Sequence, residues 1–284
     1  MKLCRFKTGG LALLGVVLKD RVVDLASLGC AYRSMLEIVE NAPQSLEEIS
    51  TLLKDADGGH LLSQVTLLAP IEKPGKYLAI GMNYKKHEDE AVRMGIAAPQ
   101  AQVWFNKQTT CINDPYGPIE MGVTQKLDYE VELGLVIGKS AKHVDAANAL
   151  DYVFGYFVAN DVSARDWQFH SPTFTMGKSF DTHGPIGPWI VTADEILDPQ
   201  NLDLECYVNG ELRQSNNTSA MIHNIASQIA YLSTAFTLEP GDLLATGTPE
   251  GVGVAMEPQC FLQVGDVVRC TVEGIGAIEN TVVK

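Results

Sequence analysis

Residues 127–137 read Leu127-Asp128-Tyr129-Glu130-Val131-Glu132-Leu133-Gly134-Leu135-Val136-Ile137 and decide the fold class. Successive side chains of a strand point to opposite faces. Leu127, Tyr129, Val131 and Leu133 therefore share one face, and Asp128, Glu130 and Glu132 the other. Past Gly134 the run is apolar on both faces, the pattern of a strand entering a core. Two glutamates spaced by one residue stand about 7 Å apart and repel. Burying both is costly unless a cation compensates. Alone, such a pair more often marks a solvated edge face.

A second acidic segment changes that balance. Asp161 ends the apolar run Val153–Asn160 and precedes the polar turn Val162-Ser163-Ala164-Arg165-Asp166, so it is both anchored and accessible. Hard divalent cations take oxygen ligands of this kind. Three carboxylates with open positions suit Mg²⁺ or Mn²⁺ better than Zn²⁺, which favours His or Cys.

Outward from this pair, strand patterns separated by Gly and Pro dominate: Tyr77–Ile80, Val103–Phe105, Trp189–Thr192, Leu202–Val208, Asp242–Ala245 and Val267–Val272. Helical patterns are fewer, at Lys85–Met94, Ala146–Leu150 and Ile222–Ala235. Strands and helices do not alternate regularly, which argues against a doubly wound α/β sheet. The first 70 residues read as a separate small α+β unit. Short strands at Lys2–Phe6, Leu11–Leu18 and Arg21–Asp24 precede helical patterns over 31–65. The Pro/Gly-containing stretch Ile71–Lys76 is the expected entrance to the larger domain. No P-loop, dinucleotide fingerprint or G-x-S-x-G elbow is present.

With 21 Lys plus Arg against 35 Asp plus Glu, the net charge of −14 argues against nucleic acid or an anionic membrane as the main partner. The six cysteines form no C-x-x-C pair and are read as reduced, mostly buried thiols. Lys19, Asp20, Arg21 and Asp24 interrupt any signal-like apolar core, and no apolar run approaches the roughly 18 residues of a membrane span. The chain is expected to be soluble and cytoplasmic.

His87 and Glu90 stand at i and i+3 of a helical pattern, so they share a face. A carboxylate beside an imidazole fixes its tautomer and raises its basicity, the arrangement of a general base. The segment 175–185, punctuated by Gly and Pro, is expected to be a loop carrying Lys178. An acidic protein that binds an anion needs local positive charge. Arg165, Lys178 and the backbone N–H groups of Thr246–Gly251 are the candidates.

The segments Gly81–Glu90, Tyr129–Gly138, Asp151–Asp166, Gly177–Gly187, Val208–Gln214 with Ser219–Ile222, and Pro240–Gly253 together resemble the fumarylacetoacetate hydrolase superfamily. The likeness is strongest to its acylpyruvate hydrolases, diketo-acid hydrolases and related isomerases. It implies an α+β, mainly β fold: a mixed β-sandwich or β-roll over residues 71–284 with a small N-terminal α+β domain over residues 1–70, in a homodimer. It also implies Glu130, Glu132 and Asp161 as ligands of Mg²⁺ (or Mn²⁺), His87 and Glu90 as the water-activating dyad, and Lys178 as the active-site lysine. Tyr84, Arg165, Gln168 and Thr248 fall where relatives meet a small anionic dioxo-acid substrate. Phe174-Thr175-Met176 and His183 depart from the family pattern, and both positions are expected to line the tail of the pocket.

The implied reaction is hydrolysis of a carbon–carbon bond in a 2,4-dioxo acid, releasing pyruvate and a carboxylic acid. Oxaloacetate decarboxylation and isomerisation of the 2-hydroxyhepta-2,4-diene-1,7-dioate type would use the same site without activated water. A non-catalytic, metal-stabilised binding protein would have lost a ligand or the dyad, and neither is lost.

Overall fold

The computed structural model describes residues 1–54, 56 and 58–284. The strand read from residues 127–137 forms in two pieces. Val131–Ile137 pairs antiparallel with Val153–Asn160, in a register running from Val131↔Asn160 to Ile137↔Val153, and on its other edge with Leu243–Ala245. Leu127–Asp128 pairs instead with Ser163–Ala164. At the break, side chains replace the ladder: Tyr129 N–H donates to Asp128 Oδ1 and Glu130 N–H to Asn160 Oδ1, each at 3.0 Å. Satisfied backbone polarity lets this irregular point stay buried.

Ten strands follow one another across the large sheet. In spatial order they are His60–Leu61, Arg21–Asp24, Leu11–Leu18, Lys2–Thr8, Gly184–Thr192, Val153–Asn160, Val131–Ile137, Leu243–Ala245, Tyr77–Gly81 and Val103–Asn106. Leu243–Ala245 and Tyr77–Gly81 are parallel, so the sheet is mixed. A five-stranded sheet of Glu211–Asn217, Asp203–Val208, Val267–Val272, Gly276–Val283 and Ile119–Glu120 packs over one face. Val131, Leu133 and Leu135 share a core with Leu204, Val268 and Ile278 there. The fold is mainly β with mixed sheets, as the resemblance implied.

The N-terminal strands extend the large sheet through Lys2↔Val191 and Leu3↔Ile190. Helices Met35–Glu40 and Gln44–Leu53 place Ile38, Val39 and Ile49 in one core with Phe154, Phe157 and Ile190. The loop expected at 175–185 is in part ordered structure: Thr175–Lys178 is a helical turn, and a strand begins at Gly184. Gly177 explains the misreading. It is there for close approach, since a Cβ would sit 2.4 Å from Gln168 Cα. All six cysteines are free, and four of them are buried. Among the described residues no helix is long and apolar enough to cross a membrane.

Gly134 faces Phe157 across the central ladder, and a Cβ would lie 2.2 Å from the ring. Gly134→Ala is expected to destabilise the protein by about 1–3 kcal/mol through overpacking, read from the urea midpoint. An unchanged midpoint would show that Phe157 repacks freely.

Candidate active site

Glu130, Glu132 and Asp161 converge at the adjoining ends of two central strands, Val131–Ile137 and Val153–Asn160. Each offers one oxygen, and these oxygens lie within 4.8 Å of one another. They are 5%, 1% and 0% exposed, which rules out the solvated edge that the E-x-E pattern alone suggests. A fourth buried carboxylate, Asp128, accepts the backbone N–H of Gly253 at 2.8 Å and of Val254 at 3.0 Å.

Three buried cations answer these four acids. Arg165 Nε donates to Asp128 Oδ2 at 2.8 Å, and its Nη2 is ion-paired 2.7 Å from Glu130 Oε1, out of hydrogen-bonding alignment. Lys178 Nζ lies 2.6 Å from Glu130 Oε2 and 2.7 Å from Asp161 Oδ2. Lys107 is ion-paired with Asp161 Oδ1 and also donates to the carbonyls of Lys178 and His183. Sequence reading passed over Lys107. The available signal was a lysine directly after the strand Val103–Asn106.

The electrostatics follow from these partners. Burial alone would raise the Glu130 carboxyl, but Lys178 and Arg165 outweigh it and hold it at about 2. Burial would likewise discharge Lys107, yet Asp161 keeps it above the ordinary lysine value. Glu132 forms no ion pair among the described residues, and Lys178 only partly offsets its acidic neighbours. Its Oε2 accepts only the Gly247 N–H, at 2.7 Å, and burial followed by Asp161 and Glu130 pushes its carboxyl well above the usual range. With every group ionised, four carboxylates against three cations would leave one excess negative charge, which is the physical reason Glu132 tends to keep its proton. A divalent ion would turn that into one positive charge, matched to an anionic head group. An all-oxygen donor set with one uncompensated carboxylate fits such an ion.

The dyad stands on the helix Lys85–Arg93, both residues turned inward. His87 Nδ1 is 3.1 Å from Glu90 Oε2, and Glu90 Oε1 accepts the Gly251 N–H at 3.0 Å. Gly251 is held in turn by the Tyr129 hydroxyl, which donates to its carbonyl at 3.1 Å. Its φ of +98°, with Arg213 O 2.1 Å from where a Cβ would be, admits only glycine. The N–H groups of 246–251 were expected to face an anionic substrate. Those of Gly247 and Gly251 instead bind Glu132 and Glu90, because buried carboxylates take the nearest donors.

A cavity of about 370 Å³ joins the two halves. His87, Glu130, Arg165, Gln168, Lys178 and Thr248 line it, with Phe105, Phe169, Phe174 and Met94 among its apolar walls. Thr248 spends its hydroxyl proton on Val131 O at 2.9 Å and accepts from Gln214, and Gln168 Oε1 accepts from Arg165 at 3.1 Å. Two expectations need correction. Tyr84 is fully buried and not among the cavity walls; burial, Glu132 and Glu250 push its phenol well above its usual value. His183 lies behind the carboxylates, its Nε2 donating to Glu120 O at 2.8 Å, and burial holds it neutral with a pKa lowered to about 4. Phe174 does line the cavity.

A family model described as fumarylacetoacetate (FAA) hydrolase C-terminal matches residues 76–283. The chain is 42% identical over 281 residues to a mitochondrial oxaloacetate tautomerase of Xenopus laevis, covering 95% of this chain and 86% of that protein. It is 45% identical over 265 residues to the Rattus norvegicus mitochondrial oxaloacetate tautomerase, covering 92% and 84%. Among solved structures, a fumarylacetoacetate hydrolase from psychrophilic Exiguobacterium antarcticum aligns with a TM-score of 0.87 at 38% identity, covering 100% and 99% of the two chains. Maleylpyruvate hydrolase from Sphingobium sp. SYK-6, in complex with manganese(II) and pyruvate, aligns at 0.83 with 32% identity, covering 100% and 99%.

Two outcomes follow from the charge balance. Mn²⁺ or Mg²⁺ at about 100 times its Kd is expected to stabilise the protein by ~2.7 kcal/mol, and Glu132→Gln to abolish that gain, by thermal melting. With its carboxyl raised in the folded state, Glu132 favours folding fully below the ordinary carboxylate pKa. That contribution is lost as pH rises through its elevated value. Chelated protein should therefore lose stability on that alkaline limb, and added Mn²⁺ should restore it; a flat chelated profile would contradict the assignment. Lys107→Met leaves Asp161 Oδ1 without its cation and is expected to cost about 3–5 kcal/mol in denaturant unfolding.

Proposed function

The chain belongs to the fumarylacetoacetate hydrolase family, and from that premise we propose that it is a divalent-metal enzyme interconverting the keto and enol forms of a small 2-oxo acid of the oxaloacetate type. The observation that carries this reading is the buried His87–Glu90 pair on the wall of the cavity that also contains Glu130 and Lys178. The relatives named oxaloacetate tautomerase, matched along most of their length, support the choice of reaction.

Glu130, Glu132 and Asp161 would hold the ion, Mg²⁺ or Mn²⁺ by donor chemistry. When bound it supplies Lewis-acid polarisation of the 2-oxo group. The remaining work falls to side chains. Glu90 fixes His87 with Nδ1 inward, so Nε2 is the nitrogen left to exchange a proton with substrate. His87 takes the proton from C3, the C3–H electrons form the C2–C3 double bond, and the C2 oxygen receives the displaced pair. Returning the same proton to that oxygen completes the enol. An ammonium has three donors, and Glu130 and Asp161 occupy two on Lys178. The third is available to the C2 oxygen as its charge grows. Apolar walls limit competing water.

A second reading keeps the same residues. His87 would deprotonate water, hydroxide would add to the 4-oxo carbon of an acylpyruvate, and the C3–C4 bond would break with its electrons passing to a pyruvate enolate. The complete dyad and the structural likeness to maleylpyruvate hydrolase favour it. Loss of CO₂ from oxaloacetate and double-bond isomerisation would draw on the same enolate.

Ultraviolet decay of enol-oxaloacetate and release of pyruvate from acylpyruvates, each with chelator and with added Mn²⁺, separate the readings. His87→Ala is expected to lower the metal-dependent rate by ~10²–10⁴-fold. Glu90→Gln should act in the same direction with less effect. Full activity in His87→Ala, or activity surviving chelation, would remove this assignment.

A further inference from the structure

The cavity wall carries basic side chains beside its acid and its apolar surface. Besides Arg165 and Lys178, one further cation lines it, Lys126, four residues before Glu130. Arg165 and Lys178 are committed to Asp128, Glu130 and Asp161. Lys126 is exposed and forms no ion pair among the described residues. Its Nζ rests 5.8 Å from the centroid of the Phe261 ring. Asp166 lies near enough to feel its charge, but the Thr124 hydroxyl and the Gln125 N–H occupy that carboxylate.

Its backbone is nonetheless fixed. Lys126 N–H donates to Thr124 Oγ1 at 3.1 Å, and its carbonyl accepts the Arg165 N–H at 2.9 Å. A lysine anchored at its base, unpaired with any acid at its tip among the described residues and set in an otherwise largely apolar wall can turn its charge from the Phe261 ring to whatever fills the outer cavity. An uncharged tail would gain nothing from it, whereas a carboxylate there would gain a charge-assisted hydrogen bond.

We propose that Lys126 is a specificity-determining residue that takes a second carboxylate, remote from the reacting oxo group, so that the site selects dicarboxylic over monocarboxylic 2-oxo acids. This rests on the 2-oxo acid reading above, but binding tests it apart from turnover. The probes are 2-oxoglutarate and 2-oxopentanoate, which share five carbons and differ in a terminal carboxylate against a methyl group. Titrated calorimetrically into the Mn²⁺-loaded full chain, 2-oxoglutarate is expected to bind about 10-fold tighter. Lys126→Gln should erase that advantage and leave 2-oxopentanoate unchanged, and Lys126→Arg should keep it. Equal binding of the two acids by the wild type, binding of neither, or an equal loss of both in Lys126→Gln overturns the proposal. Absence of turnover with a Lys126-dependent preference intact would count against the reaction alone; turnover without preference would count against Lys126 alone.

Discussion

Asp128, Glu130, Glu132 and Asp161 are all withdrawn from water, within reach of Lys107, Lys178 and Arg165. Carboxylates at this depth are tolerated only where opposite charge and hydrogen bonds replace hydration. The three cations come from separate parts of the chain, 54, 17 and 37 residues from the acids they meet. Holding them there requires the central strands to keep their register. The arrangement satisfies three acids and leaves Glu132 short, an imbalance whose donor chemistry fits a divalent cation.

The same economy runs through the surroundings. Arg165 spends its charge on Asp128 and Glu130, so its effect on a ligand is to hold Glu130 in place. Lys107 works at one remove, pinning one oxygen of Asp161 together with the carbonyl of Lys178. On the opposite wall, Gly251 anchors Glu90, and Glu90 fixes the His87 ring. The backbone N–H groups of Gly247 and Gly251 orient protein carboxylates and are not free for a substrate. Orientation bought this way costs no rearrangement when a substrate arrives.

Much of this was legible in the chain. The alternation over residues 127–137 and the Asp closing the 153–160 run marked the three carboxylates that cluster. The i, i+3 spacing marked the dyad, because helical geometry is local. Most strand positions followed from period-two apolar runs. The helical turn at Thr175–Lys178 did not, since glycine signals a loop by default and only the close approach of Gln168 shows why Gly177 is there. Lys107 carried no pattern of its own, and its partner lies 54 residues away. Tyr84 fell at a family substrate position and His183 at a departure expected to line the pocket tail, yet packing put both outside the cavity wall.

The sequence by itself determined the mainly β class, the carboxylate trio and the His87–Glu90 pair, because strand alternation and helical periodicity are properties of neighbouring residues. Only the tertiary structure decided which cation meets which acid, that Glu132 is left without an ion pair among the described residues, and that Lys126 stands on the cavity wall with no acid paired to it there. Those are matters of distance and burial between segments remote in the chain, and the strength of a charge depends on how much water the fold leaves around it.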